Sequence, residues 1–432
     1  MKQRSAIGLA ILVFACLLVW AGYGLERHEH FPLMLAYAGM LGAGFFLARR
    51  LQRFKEILVL GLFFRLLLFA AEPQLSDDYF RFIWDGKLWH SGEHPFARLP
   101  VDYMQEPELW QEALFSKLNS PEYFTIYPSV HQFVFVLATL PPVEDMKVSV
   151  FIMRLILLLG EWGTLWLLGV LLRLRFKPDC WLGFYAFNPL VILELTGNLH
   201  FEGLMIFFVL LALVLLHYSQ DVLSAVALAL AVGVKLLPLL LLPVLLRHLG
   251  WRKGAVYSGT VVGVSLVLML PLLSADFLNS IESIALYFNR FEFNPSLYAL
   301  ARAIGIWLTG YNQIALIGPA MALMATLLLS IGPYYYPKRL KLEGQMAMSW
   351  MIYLFCSTTV HAWYVIPALA FGLVAGLRAP LLWSALVFIT YLQYLPAEYR
   401  EMPLIWILEY LLVFVFFAID LRNKGNQFPF KR

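Results

Sequence analysis

Apolar residues run through this chain in long stretches, broken by short polar clusters. Read as helices, the stretches cover 5–24, 31–49, 56–71, 148–172, 180–196, 201–218, 221–235, 236–248, 253–273, 312–332, 344–360, 362–377, 380–395 and 403–421. Most are about 16–25 residues long, enough to cross or nearly cross a hydrocarbon core of about 30 Å. The stretch 221–248 reads either as two short helices or as one long broken one. No strand-like alternation suggests a barrel. The pattern predicts an all-α, polytopic membrane bundle of about 12–14 apolar helices, forming one membrane domain over 1–432.

Composition agrees. The 432 residues are 61% hydrophobic and only 14% charged, with a mean hydropathy of +0.73. A net charge of +4 is small for this length. The basic residues sit in short loops and read as topology signals, with no nucleic-acid patch. Cys16, Cys180 and Cys356 each fall in an apolar segment and have neither metal-like nor disulfide-framework spacing. Lys2 and Arg4 precede an apolar run longer than a signal peptide needs, so the run reads as an uncleaved first helix.

With the N-terminus inside, the basic clusters fall on one side: Arg49, Arg50, Arg53 and Lys55; Arg173, Arg175 and Lys177; Arg247, Arg252 and Lys253; Lys338, Arg339 and Lys341; and the tail Arg422, Lys424, Lys431 and Arg432. This topology keeps 130–140 and 295–310 at the outer surface as interfacial or re-entrant helices. It leaves an outer loop over 72–147, too long for a mere connector, and a second over 274–311.

The first outer loop opens with Leu75-Ser76-Asp77-Asp78-Tyr79-Phe80-Arg81-Phe82-Ile83-Trp84-Asp85-Gly86. Ser76 can cap a helix whose first turn carries Asp77 and Asp78. Asp78, Arg81 and Asp85 then share one face at spacings of three and four, on an amphipathic helix in the outer headgroup layer. Further polar groups map to the same depth: Asn198, His200 and Glu202; Lys235; Arg290; His361, Trp363 and Tyr364. Plainer readings stand beside the functional ones. Asp77 and Asp78 suit any helix N-terminus, and Glu202 could be a first-turn acid behind an Asn198 cap. Lys235 could snorkel, and Trp363 could sit in an aromatic belt. Arg65 and Arg154, inside spans, read as paired structural charges, and Arg154 and Glu161 could share partners. His90 and His94 flank Glu93 without a third ligand, which is weak evidence for a metal.

There is no P-loop, no dinucleotide fingerprint, no G-x-S-x-G elbow and no H-E-x-x-H. The residues suit group transfer from a lipid-phosphate carrier. A carboxylate takes the acceptor hydroxyl's proton, while Lys, Arg or a divalent metal held by the acids meets the charge of the leaving phosphate. The sequence offers no dedicated metal cage and calls for no other cofactor.

The stretch Ser76 to Gly86, followed by Gly92-Glu93-His94-Pro95-Phe96, resembles the pattern S-x-D-x-Y-R-Y-x-W-D-G … G-x-N-P-Y of membrane glycosyltransferases of the GT-C superfamily. Within it, the stretch is similar to bacterial polyprenol-phosphate-mannose-dependent mannosyltransferases. Tyr127-Pro128, the Asn198–Glu202 turn, Lys235-Leu236-Leu237-Pro238 and the His361–Tyr364 turn resemble later features of that family. Phe82 and Phe96 replace tyrosines, His94 replaces Asn and Ser129 replaces a Pro. The resemblance implies Asp78 as catalytic base, with Asp77 and Asp85 next in line. It implies Lys235 on the lipid-linked phosphate, with Arg81 and Arg290 as alternates. His200, Glu202, Asn198, His361 and Tyr364 would line the sugar and acceptor pocket. It further implies inverting transfer of a hexose, mannose foremost, from a polyprenyl-phosphate sugar to a lipid- or glycan-linked hydroxyl. The site would face outward from a bacterial inner membrane, among membrane lipids, with both termini cytoplasmic. A secondary transporter or flippase is the alternative, although transport sites favour the bilayer midplane and two similar halves.

Overall fold

A computed structural model describes residues 2–105, 107–141, 145–273, 279, 283, 285–286, 289–394 and 400–422. Lys424, Lys431 and Arg432 of the basic tail, and part of the second loop, lie outside the described residues. Among the described residues the architecture is helical, with an isolated parallel bridge between Phe293 and Thr359.

The helices follow the apolar stretches. They are α1 (Lys2–Gly24), α2 (His30–Arg50), α3 (Phe54–Leu66), α4 (Asp78–His90), α5 (Leu109–Phe115), α6 (Ser129–Thr139) and α7 (Met146–Leu174). Then come α8 (Glu202–His217), α9 (Asp221–Val234), α10 (Leu242–Leu249), α11 (Trp251–Met269), α12 (Leu297–Thr309), α13 (Ile314–Tyr335), α14 (Leu342–Cys356), α15 (Ile366–Ala375), α16 (Ala379–Leu386) and α17 (Pro403–Arg422). Among the described residues six helices are long and apolar enough to cross a membrane: α1, α2, α7, α11 with its 3-10 extension, α13 and α17. A seventh crossing is available if Pro189–Gly197 and α8, bent by 109°, count as one broken span. The remaining apolar stretches form shorter helices, including α6, α9, α12 and the segments around α10, α15 and α16.

The breaks have local causes. Asn188 accepts the Leu190 amide at 3.0 Å and starts a helix with Pro189 in its first turn, which loosens into a π-turn over Ile192–Gly197. The carbonyls released at its end accept from Arg154, at 2.8 Å for Thr196 and 2.9 Å for Gly197. Buried Arg154 therefore serves the backbone and shares no partner with Glu161, whose carboxylate pairs with Arg65 at 2.9 Å. Arg65 is the paired structural charge its position suggested, whereas Arg154, expected to be paired, is held by backbone carbonyls in place of a carboxylate. Stretch 221–248 resolves as α9 and α10, separated by Lys235 in extended backbone and a 3-10 turn with Pro238.

A continuous buried apolar cluster reaches from Phe14 in α1 to Val413 in α17. Helix α4 packs against α6, and α6 packs against α7 and α9. Gly86 makes the first of these approaches possible, since a Cβ there would lie 2.5 Å from the Phe135 carbonyl. Consequently α4 is more enclosed than its amphipathic pattern predicts. Tyr79, Phe82, Ile83, Trp84 and Leu88 are buried by protein, and so are Arg81 and Asp85. Helix α12 keeps the expected open apolar side, exposing Leu300, Ile304, Trp307 and Leu308.

Candidate active site

The three acids of the first motif have three different environments. Helix α4 begins one residue later than the capping pattern predicts, so Asp77 precedes it and Asp78 is its first residue. Ser76 Oγ accepts the Asp78 amide at 3.3 Å, whereas the Asp77 carboxylate caps nothing and pairs with Arg27 at 2.7 Å. Asp85 is 0% exposed. One of its oxygens accepts from Arg81 and the other from Gln132, each at 2.9 Å. Asp78 is half-buried and accepts from the Asn119 side-chain amide at 2.8 Å. Among the described residues it has no cation partner.

Arg81 commits Nε and Nη1 to the protein. Besides Asp85 it donates to the carbonyls of Ser120 at 3.1 Å and Tyr123 at 2.9 Å. It thereby fixes the loop that carries Asn119. Gln132 also accepts from Trp89 Nε1 at 3.1 Å, which closes a polar chain along the α4–α6 contact.

A second group forms where α9 breaks. Extended Lys235 frees the Val234 carbonyl, which accepts from His131 Nδ1–H at 3.0 Å. Burial, aided by the charge on Lys235, lowers the His131 pKa well below the ordinary value. Lys235 Nζ pairs with Glu202 Oε1 and lies 5.6 Å from the centre of the Tyr364 ring. Glu202 is the first residue of α8 and fully buried, and among the described residues its Oε2 has no hydrogen-bond partner. Its carboxylate is thus a counter-ion as well as a first-turn acid.

The histidines are held in an aromatic column. Trp363 is 9% exposed, with His200 stacked on it at 3.6 Å and His361 at 4.5 Å between ring centres. Phe293 stacks on His361 at 4.6 Å. Trp363 is therefore a buried spacer between two imidazoles, where the aromatic-belt reading placed it at an interface. The Phe293–Thr359 bridge sets the end of the column, since Val360 donates to the Phe293 carbonyl at 2.8 Å. Asn198 accepts the Leu75 amide at 3.2 Å and donates to Glu194 at 3.2 Å, tying the acidic motif to the π-turn. His200 Nε2 stands 3.4 Å from Glu194 Oε2.

Electrostatics connects the two groups. Burial lowers the His361 pKa to about 4; Asp78 acts to raise it, and His200 and Lys235 to lower it further. Asp78, His200 and Lys235 thus each lie within electrostatic reach of His361. Arg290 is exposed, three residues before Phe293. His90 and His94 diverge: His90 Nε2 meets the Val136 carbonyl at 3.1 Å, and His94 Nδ1 accepts the Phe96 amide at 3.3 Å. Among the described residues no three His, Cys, Asp or Glu side chains form a metal-ligand group.

Several members of this constellation escaped the sequence reading. Glu194 was detectable as a lone acid inside an apolar run. Arg27, Asn119, His131 and Gln132 carry no local signal and are recruited by packing.

A family model described as alpha-(1->6)-mannopyranosyltransferase, N-terminal domain, matches residues 7–250. The chain belongs to this family. It is accordingly a mannosyl-transferring glycosyltransferase with a membrane-type helical bundle. The match spans Asp77, Asp78, Asp85, His200, Glu202 and Lys235, and stops short of Arg290, His361 and Tyr364. No curated protein and no solved structure matches the chain.

Proposed function

We propose that the protein moves mannose from a polyprenyl-phosphate carrier to a hydroxyl of a lipid- or glycan-linked acceptor, with inversion, at the outer face of a bacterial inner membrane. The observation that carries this reading is the isolation of Asp78. Asp77 is neutralised by Arg27 and Asp85 by Arg81, while Asp78 keeps only a neutral amide partner among the described residues. A general base must have a free oxygen within reach of the substrate proton.

In this reading the acceptor hydroxyl gives its proton to Asp78 as its oxygen forms a bond to the sugar's anomeric carbon. The bond from that carbon to the phosphate oxygen breaks on the opposite side, and its electron pair leaves with the lipid phosphate. Lys235 meets the growing negative charge. Glu202 holds Lys235 in place until phosphate competes for it. The imidazole edges of His200 and His361, fixed by Trp363 and Phe293, offer hydrogen bonds to sugar hydroxyls. Arg81 and Asp85 act as struts of the base's helix. Arg290, exposed three residues before Phe293, can meet the carrier phosphate as it enters. The outward orientation is the positive-inside reading of the loops, with Arg49, Arg50, Arg53 and Lys55 inside.

The test is transfer of labelled mannose from polyprenyl-phosphate-mannose to a membrane lipid extract by purified protein, without any nucleotide sugar. Asp78→Asn is expected to lose about 10²–10⁴-fold in rate. Asp77→Asn, which removes an exposed ion pair, should stay within about fivefold of wild type. Full activity in Asp78→Asn removes Asp78 from the chemistry. Dependence on a nucleotide sugar removes the lipid donor.

A further inference from the structure

We propose that Asn119 is a positioning residue for the transfer reaction: it clamps one oxygen of Asp78 and leaves the other to the acceptor hydroxyl. The inference rests on the reading of Asp78 as base. It adds a residue 41 positions away in sequence, on a loop with no recognisable motif.

Two observations carry it. The Asn119 amide donates to Asp78 Oδ1 at 2.8 Å, in the range of a well-formed bond to a charged acceptor. The loop bearing Asn119 is pinned to the helix bearing Asp78. Arg81, one turn further along α4, donates to the carbonyls of Ser120 and Tyr123, and is itself anchored by buried Asp85. Arginine, carboxylate and two carbonyls thus hold the clamp and the base in one rigid unit. Asn119 is exposed, so the amide contributes nothing to core packing. A solvent-facing asparagine gains little from being held there by a buried arginine unless its contact matters.

The chemistry follows from the donor. An amide N–H favours the ionised form of the carboxylate it bonds. It also fixes the carboxylate's plane, so that the second oxygen meets the acceptor in a repeatable geometry. Charged or titratable groups around the first turn of α4 include Asp77 and its partner Arg27, Lys117 over the Phe80 ring, Arg81 on the same helix, and His361, which feels the charge of Asp78. All remain in place when Asn119 alone is changed.

The experiment compares wild type, Asn119→Ala, Asn119→Asp and Asp78→Asn in the mannosyl-transfer assay, with the wild-type preparation shown to be active. Asn119→Ala should lower kcat about tenfold with the donor KM unchanged. Asn119→Asp nearly preserves shape but replaces the donor by a second carboxylate, and should lower kcat further, again with the donor KM unchanged. A loss in Asn119→Ala that the near-isosteric Asn119→Asp restores, or a loss carried by the donor KM, means a purely structural loop residue and overturns the proposal. So does wild-type kinetics in either variant. If Asp78→Asn retains full activity, the reading of the base fails instead, and the two failures are distinguishable.

Discussion

Lys235 offers the sharpest separation of stability from chemistry. Its partner Glu202 is 0% exposed, whereas the Lys235 side chain is 19% exposed. Lys235→Met therefore leaves a carboxylate buried without its counter-ion. Breaking a fully buried pair costs about 3–5 kcal/mol, and the partial exposure of Lys235 brings this nearer to about 2–3 kcal/mol. Glu202→Gln removes the stranded charge, so the double variant should recover to within about 1 kcal/mol of wild type. Catalysis should not recover with it. A charge-assisted contact to the leaving phosphate is worth about 1.5–3 kcal/mol, or about 10- to 150-fold in rate. Thermal unfolding in detergent reads the first quantity, and mannose transfer from the lipid-phosphate donor reads the second. The expected result is a stable double variant with the rate of the single Lys235→Met. A double variant that turns over like wild type would refute the assignment of Lys235 to the phosphate, leaving it a structural counter-ion.

Two further outcomes test the frame around the site. Gly86→Ala would set a Cβ 2.5 Å from the Phe135 carbonyl and 2.6 Å from Thr139 Oγ1; α4 and α6 must separate, costing about 2–3 kcal/mol, seen as a lower thermal midpoint, with transfer reduced because Asp78 moves with α4. His361, with its pKa lowered to about 4 by burial, binds its proton less readily folded than unfolded, where the ordinary value is about 6.5. The stability it contributes is present above about pH 6.5, declines as pH falls toward 4, and is lost below that, by up to about 3 kcal/mol. His361→Phe keeps a ring against Trp363 and Phe293, and its thermal midpoint should fall less steeply over that window than that of wild type.

The helical class, the positions of the apolar segments and the acidic motif were legible in the sequence because each depends on local composition or on spacing along one helix. Arg81 and Asp85, four apart, meet as the helical period requires. The broken stretch at Lys235 was visible as an interruption, and Pro238 explains why α9 does not continue. Tertiary structure decided what each charge does. Asp77, Asp78 and Asp85 look alike in the chain. They differ because Arg27 arrives from the α1–α2 turn, Asn119 from a distant loop, and Arg81 with Gln132 from within the α4–α6 contact. Trp363 reads as an interfacial aromatic until two histidines, one from a segment more than 160 positions away, close on its faces. Periodicity reports which side of a helix is apolar. Which partner covers that side depends on how the breaks at Gly197, Lys235 and Cys356 turn the helices back on one another, and no local pattern encodes those angles.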